Sequence, residues 1–189
     1  MSRQAFLLTL IAIVFNISTT SAQSKREIKE MFFEAESWML FEDYQEALPL
    51  YQNLLEMFPE NNNYVYRIGV CYLNTPGEKD KSLSYLQRAV QNINPKYREG
   101  KFRENGAPYD ALFYLGSAYR INNHLDKAIE TYERFREGMD NKLYNPDVID
   151  LQIKACHNAK DLMEAPLYLK QVNQGEYIND RFFDINPVV

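Results

Sequence analysis

The chain has 189 residues, with 21 Lys and Arg set against 26 Asp and Glu, a formal net charge of −5. That acidic balance argues against a nucleic-acid surface and against an anionic membrane surface. A hydrophobic fraction of 46% is enough for the core of one domain. The first 22 residues have the layout of a secretory signal peptide: Arg3 as a short basic region, an apolar run over 5–17 broken by Thr9 and Asn16, then Thr20-Ser21-Ala22 as an A-x-A-like cleavage site before Gln23. The competing reading is a membrane anchor, but the run is short for about 30 Å of hydrocarbon. No cysteine lies near the cleavage point, which argues against a lipoprotein. Cleavage removes Arg3 alone from 21 basic residues and none of 26 acids, so the mature chain would carry −6.

The next signal is a repeat. Ala35, Gly69 and Gly116 each sit in an apolar pattern of helical period, and each is followed three residues later by an aromatic: Trp38, Tyr72 and Tyr119. A second amphipathic segment follows each time. Ala47 comes twelve residues after Ala35, and Ala128 twelve after Gly116, while Ser82 comes thirteen after Gly69. Ala35 and Gly69 are 34 residues apart, but Gly69 and Gly116 are 47 apart. One extra residue falls in the turn at 73–80, and the rest form an inserted loop at 96–108.

In chain order the periodicity and stop signals predict helices near 24–41, 44–58, 62–73, 80–93, 108–122, 125–137 and 147–164. Pro59 ends the second, because proline lacks an N–H and clashes with the preceding turn. Asn145-Pro146 starts the last as a cap residue followed by proline at the first helical position. Val148, Leu151, Ala155, Ala159 and Leu162 are expected to form its inner face. Glu42-Asp43 and Asp126 fall at helix junctions, where carboxylates cap helix starts. Beyond Pro166 the pattern changes: 167–172 reads as a short strand, a turn follows at 173–175, and the chain ends on apolar residues, which suggests a truncated sequence. The two cysteines, Cys71 and Cys156, fall on elements far apart in the stack, and each is expected to be a small buried thiol although export would permit a disulfide.

These segments resemble the tetratricopeptide-repeat (TPR) family. "IGVCYLN" and "LGSAYRINNHLDKAIETYERF" carry the small and aromatic positions at the family spacing, while the first unit departs from it at Glu34 and Trp38. The resemblance implies an all-α α-solenoid of three helical hairpins plus a C-terminal capping helix, with a short extended tail. Its parts would be a signal peptide at 1–22, a TPR domain at 23–165 with repeats at about 28–61, 62–95 and 109–142, a capping helix at 147–164, an inserted loop at 96–108 and a tail at 166–189. "YRIGVCYLNTPGEKDKSLSYLQRAV", the basic insert before "APYDALFYLGSAY", "KACHNAKDLM" and the tail "GEYINDRFFDINPVV" further resemble the N-terminal part of Bacteroidetes envelope proteins. Those proteins combine a TPR region with a β-propeller of WD40-like (PD40) repeats and an OmpA-type domain. Neither of those further domains is present in this sequence.

The sequence carries no signature of catalysis. Only His124 and His157 are present, and no H-E-x-x-H, C-x-x-C, G-x-S-x-G or Walker pattern occurs. No enzyme activity, cofactor or metal is expected. The expected role is binding a protein or peptide partner. In the TPR register, the first helix of each hairpin lines the concave groove, which puts Phe32, Tyr66 and Phe113 at one repeated position. Glu36, Val70 and Ser117 follow one turn on, then Met39, Leu73 and Arg120. An aromatic ladder of this kind supplies large contact area. The alternatives are that the rings pack inside the stack or under the seventh helix, or that the tail or a propeller covers them. The insert sets Lys96, Arg98, Lys101 and Arg103 against Glu99 and Glu104, with Tyr97 and Phe102 interleaved, suited to gripping an acidic partner or lipid headgroups, or to packing its two rings on neighbouring helices as a solvated loop. The whole reads as a non-catalytic periplasmic scaffold of the cell envelope, associated with outer-membrane components. The second reading is a structural spacer resting on a downstream domain, and the third a hydrolase accessory.

Overall fold

The computed structural model describes residues 25–165. The signal-like segment and the tail with its expected strand lie outside the described residues. Among the described residues seven α-helices follow one another: α1 (25–40), α2 (Tyr44–Met57), α3 (Asn62–Asn74), α4 (Ser82–Ala89), α5 (Ala111–Ile121), α6 (Leu125–Gly138) and α7 (Pro146–Glu164). The segment predicted as one helix over 80–93 keeps an α-helical centre between two tighter 3₁₀ turns, Lys79–Lys81 and Val90–Asn92. Its far end is drawn out because Ile93 leaves the helix to form a parallel bridge with Ala107 at the base of the insert.

Local chemistry starts several of the helices. The Asn61 side chain accepts from the Asn63 and Tyr64 N–H groups, and Asn145 accepts from the Asp147 N–H, so two orphan helix starts are satisfied. Asp43 caps α2 by accepting from the Glu46 N–H. Asp126 does not cap α6. It lies one residue inside that helix and pairs with Lys160 of α7 at 2.5 Å.

The helices pair as α1/α2, α3/α4 and α5/α6, and α7 closes the far side. Within a pair the backbones come close. A Cβ at Gly69 would stand 2.7 Å from Leu86 Cγ, and one at Gly116 would stand 2.7 Å from Tyr132 Cε1, so only glycine fits without a shift. Ala35, fully buried, holds the matching place in the first pair. Three apolar clusters run through the stack. Phe32, Tyr51, Leu54 and Ile68 sit in the first, Val65, Leu86 and Leu115 in the second, and Leu112, Tyr132, Phe135 and Ile149 in the third. α3 belongs to two of them and is buried along its whole length from Asn63 to Leu73.

The inner face of α7 differs from the expected one. Ile149 and Cys156 are buried, with Ile153 and Ala159 packed beside them. Val148, Leu151 and Leu162 point outward, with Leu151 62% and Leu162 65% exposed. The helix carries two apolar stripes about a quarter-turn apart, and packing against α6 selects the one that the spacing did not single out. Both cysteines are buried free thiols in different clusters. Burial pushes the Cys71 thiol up to about 12.

Candidate partner-binding groove

The insert positions the site. Its base is closed by the Asn94 N–H donating to the Ala107 carbonyl (2.8 Å) and the Ala107 N–H to the Asn92 carbonyl (2.9 Å). It then lies across α1 and α3: the Asn62 N–H donates to the Asn105 carbonyl, and the Asn61 amide donates to the Glu104 carbonyl. Phe102 sets its ring edge-on to Phe32, with centroids 5.5 Å apart. Tyr97 donates its hydroxyl to Asn63 at 3.0 Å.

Beside the insert, α1, α3 and α5 leave a groove of about 550 Å³. Its apolar lining comes from Met39, Leu40, Tyr44, Tyr66, Val70 and Tyr114, and its charges are Glu36, Glu42, Glu99 and Arg67. A smaller recess of about 290 Å³ shares Tyr114 with it and continues past Phe113 to Leu143 and Val148 at the start of α7.

Arg67 is the electrostatic centre of the groove. Its side chain is only 6% exposed, yet it donates to Glu36 at 2.9 Å, to Tyr97 at 3.4 Å and to Glu99. Burial alone would lower the Arg67 pKa, but Tyr51, Tyr97, Glu36 and Glu99 together raise it, so the guanidinium stays charged. Glu36 also accepts the Tyr51 hydroxyl at 2.5 Å. Burial, with Glu36 alongside, raises the Tyr51 hydroxyl far above the ordinary tyrosine range. With Arg67 matched by Glu36, the remaining groove charges are Glu42 and Glu99, so the rim is net acidic.

The expected ladder is not a row of exposed rings. Phe32 is 1% exposed beneath Phe102, and Tyr66 is 5% exposed against Tyr114. Phe113 is half-buried between Tyr132 and Phe135. Val70 and Leu73 are buried. Glu36 and Ser117 play matching internal parts. Each hydrogen-bonds the buried tyrosine fifteen residues on, Glu36 with Tyr51 and Ser117 with Tyr132 at 2.9 Å. Arg120 is half-buried, and its Nε has no partner among the described residues. Burial raises the Tyr132 hydroxyl, while Ser117 and Arg120 beside it act in the opposite direction. Of the nine expected positions, Glu36, Met39, Tyr66 and Val70 line the groove and Phe113 lines the adjoining recess. Phe32, Leu73, Ser117 and Arg120 line neither.

Sequence reasoning missed Leu40, Arg67, Glu99 and Tyr114. Leu40 is 80% exposed and next to Phe41 at 74%, an apolar pair at a hairpin turn that breaks the amphipathic pattern and could have been noticed. Nothing in the sequence spacing brings Glu99 to Arg67. Among the described residues, no three His, Cys, Asp or Glu side chains gather to hold a metal ion, and no helix is long and apolar enough to cross a membrane.

Sequence profiles of the tetratricopeptide repeat match residues 41–97 and 110–137. No curated protein matches the chain. Among solved structures the chain is similar to the Sgt2 TPR domain from Aspergillus fumigatus, with a TM-score of 0.53 and 20% identity over 79% of this chain and 90% of that one. At that identity the likeness concerns the fold. Over the described residues the chain folds as an all-α TPR-like solenoid, three helical hairpins closed by α7, with tetratricopeptide repeats matched over 41–97 and 110–137.

Proposed function

We propose that this protein is a non-catalytic scaffold that holds a segment of a partner protein in the groove between α1, α3 and α5. The observation that carries the reading is the exposed Leu40 beside the apolar lining of Met39, Val70 and Tyr114, which together give the groove an open apolar mouth. Solvent-facing apolar area of this kind is what interfaces use. The acidic rim of Glu42 and Glu99 favours a segment with an apolar anchor flanked by basic residues. Export to the periplasm and a place in the cell envelope, associated with outer-membrane components, rest on the signal-like residues 1–22 and on the resemblance to the Bacteroidetes envelope proteins. The test is proximity crosslinking in intact cells with a photoreactive residue at position 40, beside a Leu40→Asp/Tyr114→Ala variant carrying the same probe at Phe41. A discrete envelope protein crosslinked through position 40, and lost from the double variant, supports the reading. Equal yield from both sinks it.

The burial of Phe32 and Tyr66 favours a second reading, in which the solenoid is a spacer. On that reading the outer stripe of α7, with Leu151, Leu162 and Met163 all more than 60% exposed, rests on another structured unit. Crosslinks through position 151 rather than 40 would single it out.

A further inference from the structure

A second recess, of about 760 Å³, lies where the start of α1, the α2–α3 turn and the insert meet. Four cations line it: Lys25 and Lys29, one turn apart on α1, and Lys101 and Arg103 on the insert. Its apolar wall is made by Ile28, Phe58, Tyr64 and Phe102. Among the described residues no acidic side chain lines it, and none of the four cations enters an ion pair. Lys29 only rests over the Phe33 ring, at 5.6 Å.

Glu104, the insert's nearest carboxylate to Arg103, is engaged elsewhere. It is 8% exposed and accepts from the Asn94 amide at 2.5 Å and from the Arg98 and Asn105 N–H groups at 3.2 and 3.3 Å. Among the described residues the lining of the recess is therefore wholly positive, on a chain whose net charge is −5. Its walls are fixed in place, because the insert is closed at its base and hydrogen-bonded to the N-terminal end of α3.

We propose that this recess docks an acidic protein segment carrying one apolar side chain. The cations would meet the carboxylates, and Phe58, 41% exposed at the rim, together with Phe102 would take the apolar group. Such a protein segment fits better than an anionic lipid surface. Of its three rings only Phe58 is exposed at the rim, while Tyr64 is 2% exposed and Phe102 half-buried, so the apolar wall is recessed rather than projecting, and the net acidic chain is repelled by an anionic bilayer. The site is separate from the α1–α3–α5 groove and prefers the opposite charge.

The test is fluorescence anisotropy on the full chain. The probe is a short labelled peptide of Asp and Glu around a central Phe, with two controls: the same peptide with Asn and Gln in place of its acids, and phosphatidylglycerol vesicles. The acidic peptide should bind more weakly as salt rises. Lys101→Glu/Arg103→Glu, both exposed positions, should weaken it at least tenfold with an unchanged circular dichroism spectrum, while Leu40→Asp in the groove should leave it unaltered. Equal binding of the acidic and amide peptides overturns the proposal. So does binding to the vesicles alone, no binding at all, or an acidic-peptide affinity indifferent to the double charge reversal.

Discussion

Glu36 holds two buried neighbours at once, the Tyr51 hydroxyl and the Arg67 guanidinium. Removing its carboxylate would leave the hydroxyl unpaired and leave a nearly buried cation with Glu99, whose side chain is 70% exposed, as its one remaining carboxylate among the described residues, beside the neutral Tyr97 hydroxyl. Breaking a buried pair from one side costs about 3–5 kcal/mol, because the surviving charge stays desolvated. Glu36→Ala is therefore expected to lower unfolding free energy by about 3 kcal/mol in a urea titration. Glu36→Gln should cost less, since its amide oxygen still accepts from Tyr51. Backbone strain gives a second residue-scale expectation. Glu42 has φ 59° and Asn123 has φ 58°, at matching turns between the helices of the first and third pairs, and Gly77 has φ 79° in the second. Left-handed backbone is tolerated by Gly and Asn but costs a residue such as Glu about 1 kcal/mol. Glu42→Gly should therefore raise the unfolding free energy by about 0.5 kcal/mol after its larger unfolded-state entropy is counted, read as a higher urea midpoint. The sequence made Ala35, Gly69 and Gly116 visible as the small members of a repeat, and the close approaches at Gly69 and Gly116 are the physical reason for that pattern. It could not reveal that Glu36 faces inward, because a glutamate on an amphipathic helix reads as a solvent residue until a buried arginine is brought beside it.

At the scale of elements, the helices were legible because each carries a long apolar stripe of the right period. Where the structure departs from the pattern, tertiary contact decided. α7 bears two stripes, and α6 selected Ile149, Ile153 and Cys156 over Val148, Leu151 and Leu162. The insert was recognisable as extra length, but not as an ordered element, because it has no periodicity. Its order comes from single polar anchors, of which Glu104 is central. Burial alone would raise its pKa, but the Asn94 amide and the Arg98, Asn105 and Gly106 N–H groups together hold it below the ordinary glutamate value. A depressed folded-state pKa contributes stability that is fully present above the unfolded value of about 4.3 and is lost as pH falls through the lowered folded value. Wild-type stability should thus fall on acidification below about pH 4.3, and Glu104→Gln should remove that part of the fall. The same variant should cost about 1–2 kcal/mol at neutral pH, since its amide cannot accept every donor now converging on the carboxylate. Chemical denaturation at a series of pH values would measure both effects.

For the whole molecule, the insert changes what kind of solenoid this is. In a repeat array each hairpin normally touches only the hairpins on either side, and stability is a sum of intrinsic and nearest-neighbour terms. Here a segment that follows the second hairpin turns back past it and reaches the first, through Phe102 on Phe32 and Glu99 on the Arg67–Glu36 pair. The groove and the basic recess are both products of that return path, since the insert supplies a wall to each. The repeat period put the ladder positions on α1, α3 and α5 but could not give their exposure, because Phe32 is covered by Phe102 of the insert, Tyr66 by Tyr114 of α5 and Phe113 by Tyr132 and Phe135 of α6. The same return path predicts an uneven response to loosening the insert. Phe102 is half-buried, so Phe102→Ala should cost about 2 kcal/mol, somewhat below the range for a fully buried ring. In native-state hydrogen exchange the loss should appear in α1 and the N-terminal turn of α3, where Phe32, Asn63 and Tyr64 lie, with α6 and α7 keeping their protection. A strictly nearest-neighbour stack would instead show the loss in α4 and α5, which flank the insert in sequence, and that pattern would contradict the stapling role assigned to Phe102.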